Sequence, residues 1–377
     1  MKFFKKKSVP KAVPELITAQ RNSQCRMNLP SAIEPFEKEL YDRLRNAVPI
    51  IDAALMKIIR LTGGFRVICS DGRYQLQLDD FLENIPVGLT GKSINTFTDN
   101  FLDSLLTYGS AVGEISLDSS GERIAGLWNG DVAAVRVTSG ENPFIRQYAV
   151  KNDDNTIKTV THPERILYAS LTGGRPLLRG IPALSSILMR IYECIGQNFD
   201  RVGNVRYAVT YKPPSDSGDF AYSRERAMQI AKEWADGMNS AKYGQVKDFV
   251  AVGDVDIKVI GAENQLFDTN VPVRQLMEQI IAKLSIPPFL LGLSWNTTER
   301  MSSQQADILT SELEYYRRLL TPVICEIGNS FICSIGADAV CSVEWDNINL
   351  QDESALAEAR LKNAQAREIE MRLENLN

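Results

Sequence analysis

The stretch Ile281-Ala282-Lys283-Leu284-Ser285-Ile286-Pro287-Pro288-Phe289-Leu290-Leu291-Gly292 organises the second half of the chain. Pro287 and Pro288 remove two consecutive backbone donors and push the residue before them into extended backbone, so a helix arriving from the N-terminal side stops here. That helix has its own start signals: Asn270 offers a cap, Pro272 suits a first turn, and Leu276, Ile280 and Leu284 recur every four residues. After the prolines comes a loop with Gly292, Trp295, Asn296 and Thr297, and then a much longer periodic segment over about 302–335. Ser302 and Gln305 have the spacing of a capping box, and Leu309, Leu313, Tyr316, Leu320, Val323, Ile327, Phe331 and Ile335 form one stripe. At 1.5 Å per residue such a helix is roughly 50 Å long. Pro322 lies inside it and is expected to act as a hinge. A strand over Val340–Trp345 and a charged helix over 353–376, with Glu358–Lys362 and Glu368–Arg372 at helical spacing, close the chain.

Working outward toward the N-terminus, Pro182 opens a helix over 183–203 whose Leu184, Ile187, Leu188, Ile191, Ile195, Phe199 and Val202 keep the same period. Between this helix and the one before Pro287, residues 205–265 read as an insert. It has a strand over Val205–Tyr211, a helix capped at Ser223 with Ala227, Ile230, Trp234 and Met238 on one side, and strands over Asp248–Val252 and Asp256–Ile260. Residues 35–60 read as one helix kinked at Pro49 and ended by Gly63-Gly64. Strands over Phe65–Cys69 and Arg73–Leu78 are expected to pair about an Asp71-Gly72 turn. A helix over 95–108, a hairpin of Val112–Leu117 with Arg123–Trp128, and strands over Val132–Val137, Ile145–Val150 and Thr156–Val160 complete a mixed α+β region. The first 34 residues, with five lysines among the first eleven, read as a flexible basic arm.

Composition narrows the chemistry. With 377 residues, the length is that of about two or three structural units. Lys+Arg total 42 and Asp+Glu 47, a net charge of −5, so the chain is not a globally basic nucleic-acid binder. A single histidine, His162, rules out multi-histidine zinc sites within one subunit, and its place before Pro163 reads as a loop position. The six cysteines, at 25, 69, 194, 325, 333 and 341, have no CxxC spacing and read as buried small apolar residues in a reducing compartment. No run of about 18 apolar residues is present, so no membrane helix is expected. Gly88 to Ser93 ends like a phosphate-binding loop, but Pro86 stands where its first glycine belongs, and a turn is the better reading. Asp254 with Asp256, and Asp79 with Asp80, lack the glycine spacing of a calcium loop and read as solvated acids. No catalytic residue, metal ligand or cofactor is assigned. The basic residues Arg190, Arg201, Arg206, Arg274, Lys283 and Arg300 gather, in sequence, around the loop with Trp295 and Asn296, where they suit a phosphate backbone.

Three stretches then resemble the HK97-like family of bacteriophage portal proteins, over residues ~35–350. The first is Phe101-Leu102-Asp103-Ser104-Leu105-Leu106-Thr107-Tyr108-Gly109-Ser110-Ala111 with the Asp118–Gly121 turn. The second is Pro163–Tyr168 followed by Leu178-Arg179-Gly180-Ile181-Pro182-Ala183-Leu184. The third, Arg274–Pro322, carries the family's helix, Pro-Pro and Leu-Leu-Gly block, with Ile286 in place of Val. The resemblance implies an elongated α+β subunit. A mixed α/β wing spans 35–182, stem helices 183–204 and 269–288, and a small α/β clip 205–268. A tunnel loop at 289–301, a long kinked helix and wing strand over 302–350, and a short helical crown at 351–377 follow.

It further implies a homo-oligomeric ring of about twelve copies at one capsid vertex of the virion, assembled in the host cytoplasm. Through the ring double-stranded DNA is packaged and ejected without regard to sequence. Implied partners are the terminase large subunit, a head–tail connector or adaptor, and the major capsid and scaffold proteins; no membrane and no cofactor are implied. On this reading Trp295, Asn296, Arg300, Arg274, Lys283, Arg190 and Arg201 face the DNA channel. Arg206, Lys212, Trp234, Lys242 and Lys247 lie on the clip, and Pro322 is the hinge of the long helix. Two alternatives stay open: another virion assembly protein, such as a head–tail adaptor or minor capsid protein, and a nucleotide hydrolase using Lys92 and Ser93.

Overall fold

A computed structural model describes residues 35–139, 146–151, 156–203, 206–212, 223–242, 254–260, 269–293 and 299–348. The expected basic arm, the strand over 248–252, Trp295, Asn296, Lys247 and the C-terminal helix lie outside them. The chain divides into two compact units, Met1–Ser185 with Leu276–Asn377, and Ser186–Gln275.

The first unit opens with α1 (Pro35–Ala47) and α2 (Pro49–Thr62). These are two helices, not one kinked helix: Val48 leaves helical geometry (φ −124°, ψ 87°) and Pro49 sits in the first turn of α2, where its missing N–H costs nothing. Arg45 ties the junction together. Its guanidinium donates to Asp52 (2.8 Å) on α2, and to Asp103 (2.8 Å) and Thr107 (2.9 Å) on the later helix Ile94–Tyr108.

β1 (Phe65–Cys69) follows. The expected hairpin to 73–78 does not form. Asp71 accepts the Arg73 N–H at 3.0 Å and caps a 3-10 turn, and the chain continues as α3 (Gln75–Asn84). Leu78 and Leu82 are buried while Leu76 is 82% exposed, a four-residue period and not an alternation. The partner of β1 is instead the last described strand of the unit, Cys341–Trp345.

Two short strands, β2 (Pro86–Val87) and β3 (Gly91–Lys92), enclose the turn that resembled a phosphate loop. Ser93 accepts the Asn95 N–H and caps α4 (Ile94–Tyr108). Phe97, Phe101, Leu102, Leu105 and Leu106 are each no more than 1% exposed, so α4 is the spine of the core. It ends on Gly109 at φ +81°, where a Cβ would lie 2.5 Å from the Pro176 nitrogen; only glycine meets both demands. β4 (Ser110–Leu117) and β5 (Ile124–Gly130) form the expected hairpin. β6 (Val135–Ser139), β7 (Arg146–Lys151) and β8 (Ile157–Thr159) make a separate antiparallel sheet. β9 (Ile166–Ser170) completes the five-stranded sheet in the order β3-β2-β5-β4-β9.

The second unit holds most of α5 (Ile181–Gly203), then β10 (Arg206–Lys212), α6 (Ser223–Lys242), β11 (Asp254–Ile260) and the start of α7 (Asn270–Lys283). β10 and β11 pair antiparallel from Arg206↔Ile260 to Lys212↔Asp254. The first unit resumes with the rest of α7, then α8 (Glu299–Ser334) and β12 (Cys341–Trp345). Leu309, Leu313, Tyr316, Leu320, Val323 and Ile327 of the expected stripe are buried, and α8 packs on α2, α4 and β12.

Candidate functional site

The Pro-Pro block folds as a compact reversal. Beyond Lys283 the chain makes one last turn, with the Leu284 N–H donating to the Ile280 carbonyl at 3.1 Å, and Ser285 takes a left-handed φ of +53°. Ile280, Ile281, Leu284 and Ile286 are all buried and hold the reversal to the core. Pro288–Leu291 form one 3-10 turn that ends on Gly292 at φ +76°. α8 then begins at Glu299, not at Ser302. Ser302 therefore sits in the helix's first turns and is not its cap, which corrects the capping-box reading. Pro322 lies on the exposed side of α8 between buried Leu320 and Val323, and the helix runs continuously through it.

Two depressions flank this reversal within the first unit. One, of about 570 Å³, is lined by Thr172, Arg175 and Arg179 from the loop after β9, by Lys283 from the end of α7, and by Glu312 and Tyr315 from α8. The loop is pinned to the end of α4: the Leu171 N–H donates to the Gly109 carbonyl (2.9 Å) and the Leu177 N–H to the Leu106 carbonyl (3.0 Å). The Thr172 and Tyr315 hydroxyls lie 3.0 Å apart across the cleft. Arg175, Arg179 and Lys283 make no ion pair among the described residues. Burial, reinforced by the Glu312 carboxylate, pushes the Tyr316 phenol well above its ordinary range, so it stays a neutral hydroxyl at the cleft wall. The cleft thus gathers three cations and three hydroxyls against the single carboxylate of Glu312, a balance that suits anionic oxygens. The other depression, of about 380 Å³, lies beside Ile281, Pro287, Pro288 and Ile308 and is largely apolar.

The expected channel and clip residues fall in different places. Arg190, Arg201, Arg206, Lys212, Trp234, Lys242 and Arg274 belong to the second unit; Lys283, Arg300 and Pro322 belong to the first. Arg190, Arg274 and Lys283 are exposed, Trp234 is half-buried, Arg300 falls in the first turn of α8, and Arg206 and Lys212 end β10. Of the whole set, only Lys283 lines a described cleft. Its companions Arg175 and Arg179 escape the sequence reading, although two glycines, Gly173 and Gly174, followed by Arg175-Pro176 mark an ordered turn in the sequence.

The remaining candidates for chemistry have ordinary structural roles. His162 is exposed and pairs with Glu164 at 2.9 Å, and Lys92 is exposed on β3. Asp79 pairs with Arg66 at 3.1 Å. Among the described residues no group of three or more His, Cys, Asp or Glu is placed to hold a metal ion. Nor is any described helix long and apolar enough to cross a membrane. The cysteine reading needs correction: Cys69 and Cys341 are buried, but Cys194 and Cys333 are exposed.

No family model matches the chain, and no curated protein matches it. Solved structures do. A chain of the virion of a native gene transfer agent particle aligns with a TM-score of 0.59 at 15% identity, covering 87% of this chain and 88% of that one. A chain of the neck of the same kind of particle, computed with C12 symmetry, aligns with a TM-score of 0.59 at 14% identity, covering 88% and 89%. An HK97 family phage portal protein from Corynebacterium diphtheriae is also among the neighbours, with a TM-score of 0.41 at 14% identity over 83% of this chain and 95% of that one. The class established here is a mixed α+β fold shared, nearly end to end, with chains of gene transfer agent particles.

Proposed function

We propose that this chain is the portal subunit of a tailed-phage-like particle. Copies of it form a ring of about twelve at one capsid vertex, through which double-stranded DNA enters and leaves. The observation that carries this reading is the likeness to the neck chain solved with C12 symmetry, which spans 88% of this chain. The ordered stretches around Gly109, Pro182 and Pro287-Pro288 support it from the sequence side. In this reading α5 and α7 are the stem, β10, α6 and β11 belong to the clip that meets terminase and then a head–tail connector, and residues 289–301 are the tunnel loop. The chemistry is compatible: a conduit must hold phosphate weakly, and a chain of net charge −5 with a few clustered cations does so.

Negative-stain class averages of the purified protein test the reading directly. Closed rings near twelve subunits are the expected result. A monomer that hydrolyses nucleotide, and loses the activity with Lys92→Ala, would overturn it. Deleting residues 292–299 should leave rings intact and impair genome packaging or retention.

A further inference from the structure

In the antiparallel pair β1·β12, Cys69 stands directly opposite Cys341. The ladder's hydrogen bonds fix what kind of pair this is. The Ser70 N–H donates to the Val340 carbonyl (2.9 Å) at one end, and the Asp346 N–H to the Gly64 carbonyl (3.0 Å) at the other. Hydrogen-bonded positions alternate along such a ladder, so the 69–341 position is of the non-hydrogen-bonded kind. The backbone N–H groups agree: that of Cys69 donates to the Gln75 side chain (2.8 Å) and that of Cys341 to the Asn329 side chain (2.8 Å), both away from the opposite strand. At such positions the Cα atoms lie about 4.5 Å apart and the side chains are at their closest, inside the range a disulfide spans. Both thiols are free, point to the same face, and are only 5% and 4% exposed.

We propose that Cys69 and Cys341 are a disulfide-forming pair which, on exposure to a low-molecular-weight disulfide oxidant, closes across the ladder and staples β1 to β12. The inference stands apart from the portal reading. The step balances as a thiol–disulfide exchange. One cysteine thiolate attacks oxidised glutathione, and a glutathione thiolate leaves. The other cysteine attacks the protein sulfur of the mixed disulfide and expels the second glutathione. Two thiols are oxidised, one glutathione disulfide is reduced, and the two protons the cysteines give up are taken by the two departing glutathione thiolates.

Access comes from the position of the pair. It is the last pair of the two strands, with only the Ser70–Val340 hydrogen bonds beyond it and Val340 65% exposed, so fraying of that end is enough to admit the oxidant. Burial, with the neighbouring Cys69 and Cys325 thiols, pushes the Cys341 thiol up to about 11, so closure is slow at neutral pH and quickens as pH rises. Among the described cysteines Cys325 is the competitor: it lies on α8 one turn before Gly328, where the helix comes so near that a Cβ would sit 3.0 Å from the Cys341 sulfur.

The test is to hold the full-length reduced protein in excess oxidised glutathione at pH 8.5, then alkylate and map the peptides. Trypsin leaves Cys325, Cys333 and Cys341 on one peptide, so a second cleavage at Glu326 and Asp338 is needed to separate them. The expected product is a Cys69–Cys341 link, formed faster at higher pH, kept in Cys325→Ala and lost in Cys69→Ala. Because the closed loop is long, the linked protein should melt several degrees higher than the reduced one. Exposed Cys194 and Cys333 serve as internal controls. If they react while Cys69 and Cys341 stay free, carry only glutathione, or if Cys341 links to Cys325, the proposal fails.

Discussion

Arg317 offers the sharpest test of the core. Its side chain is 3% exposed, and its Nε and Nη2 donate to the Thr62 carbonyl at 2.8 and 2.7 Å. That carbonyl is one of the orphan acceptors at the end of α2, and the next residue, Gly63, turns to φ +81° and leaves it pointing at the guanidinium. The guanidinium also lies 5.0 Å from the centre of the Trp345 ring. Arg317→Met keeps most of the volume, removes both hydrogen bonds and leaves Thr62 without a donor. Stranding a buried acceptor costs about 1–3 kcal/mol, and two charge-assisted bonds plus the ring interaction add a similar amount. Relief of the desolvated charge offsets part of this, so a net loss of about 3 kcal/mol is expected. Urea unfolding followed by circular dichroism should show the midpoint falling at an unchanged slope. Arg317→Lys should recover less than half, because an ammonium cannot give two parallel bonds. Glu314→Gln should change almost nothing, since the Glu314 carboxylate is 54% exposed. If Arg317→Met unfolds at the wild-type midpoint or above it, the guanidinium is not what holds the end of α2, and the reasoning is refuted.

Other perturbations follow from the same geometry. Gly109→Ala should cost about 2 kcal/mol or more, because it combines φ +81° with a 2.5 Å approach to the Pro176 nitrogen, whereas Gly121→Ala, equally left-handed but in open space, should cost about 1 kcal/mol; paired thermal melts read the difference. Arg175→Glu with Arg179→Glu should weaken binding to mixed-sequence duplex DNA and flatten its log–log salt dependence by about 0.9 for each phosphate no longer neutralised; an unchanged slope would remove the cleft from any DNA path. Arg45→Met should destabilise by about 2 kcal/mol or more, since it strands Asp52 and Asp103 together, and a double-mutant cycle with Asp103→Asn should show coupling.

Much of the helical framework is legible in the sequence because it is periodic. The segments that form α4, α5, α7 and α8 each carry apolar residues every three or four positions, and their caps and prolines mark the ends to within a few residues. The two strand misreadings share one cause. Residues 73–78 read as a strand because β1 lacks a visible partner nearby, and the true partner, 341–345, lies about 270 residues away. β9 escapes notice for the same reason: its partner β4 precedes it by about fifty residues, and no local turn signals the pairing. The candidate site is less legible than the fold. Lys283 stands out by its place before the prolines, but Arg175 and Arg179 join it only through tertiary folding, and the expected cations divide between the two units.

The β1·β12 ladder has a consequence for synthesis. A ribosome extends the chain from one end, so β1 emerges early and waits while every residue up to Trp345 is added. The five-stranded sheet and α4 can settle beforehand, since all their parts lie before residue 171. Residues 186–275, which belong to the other compact unit, are also made before the enclosing unit is finished. During that interval β1 is an unpaired edge with a buried face still open, the species most prone to pair with a neighbouring nascent chain. Closing so long a loop is also slow. A gene truncated before residue 341 should therefore yield an insoluble product, and the rate of translation through the inserted unit should govern the yield of soluble protein.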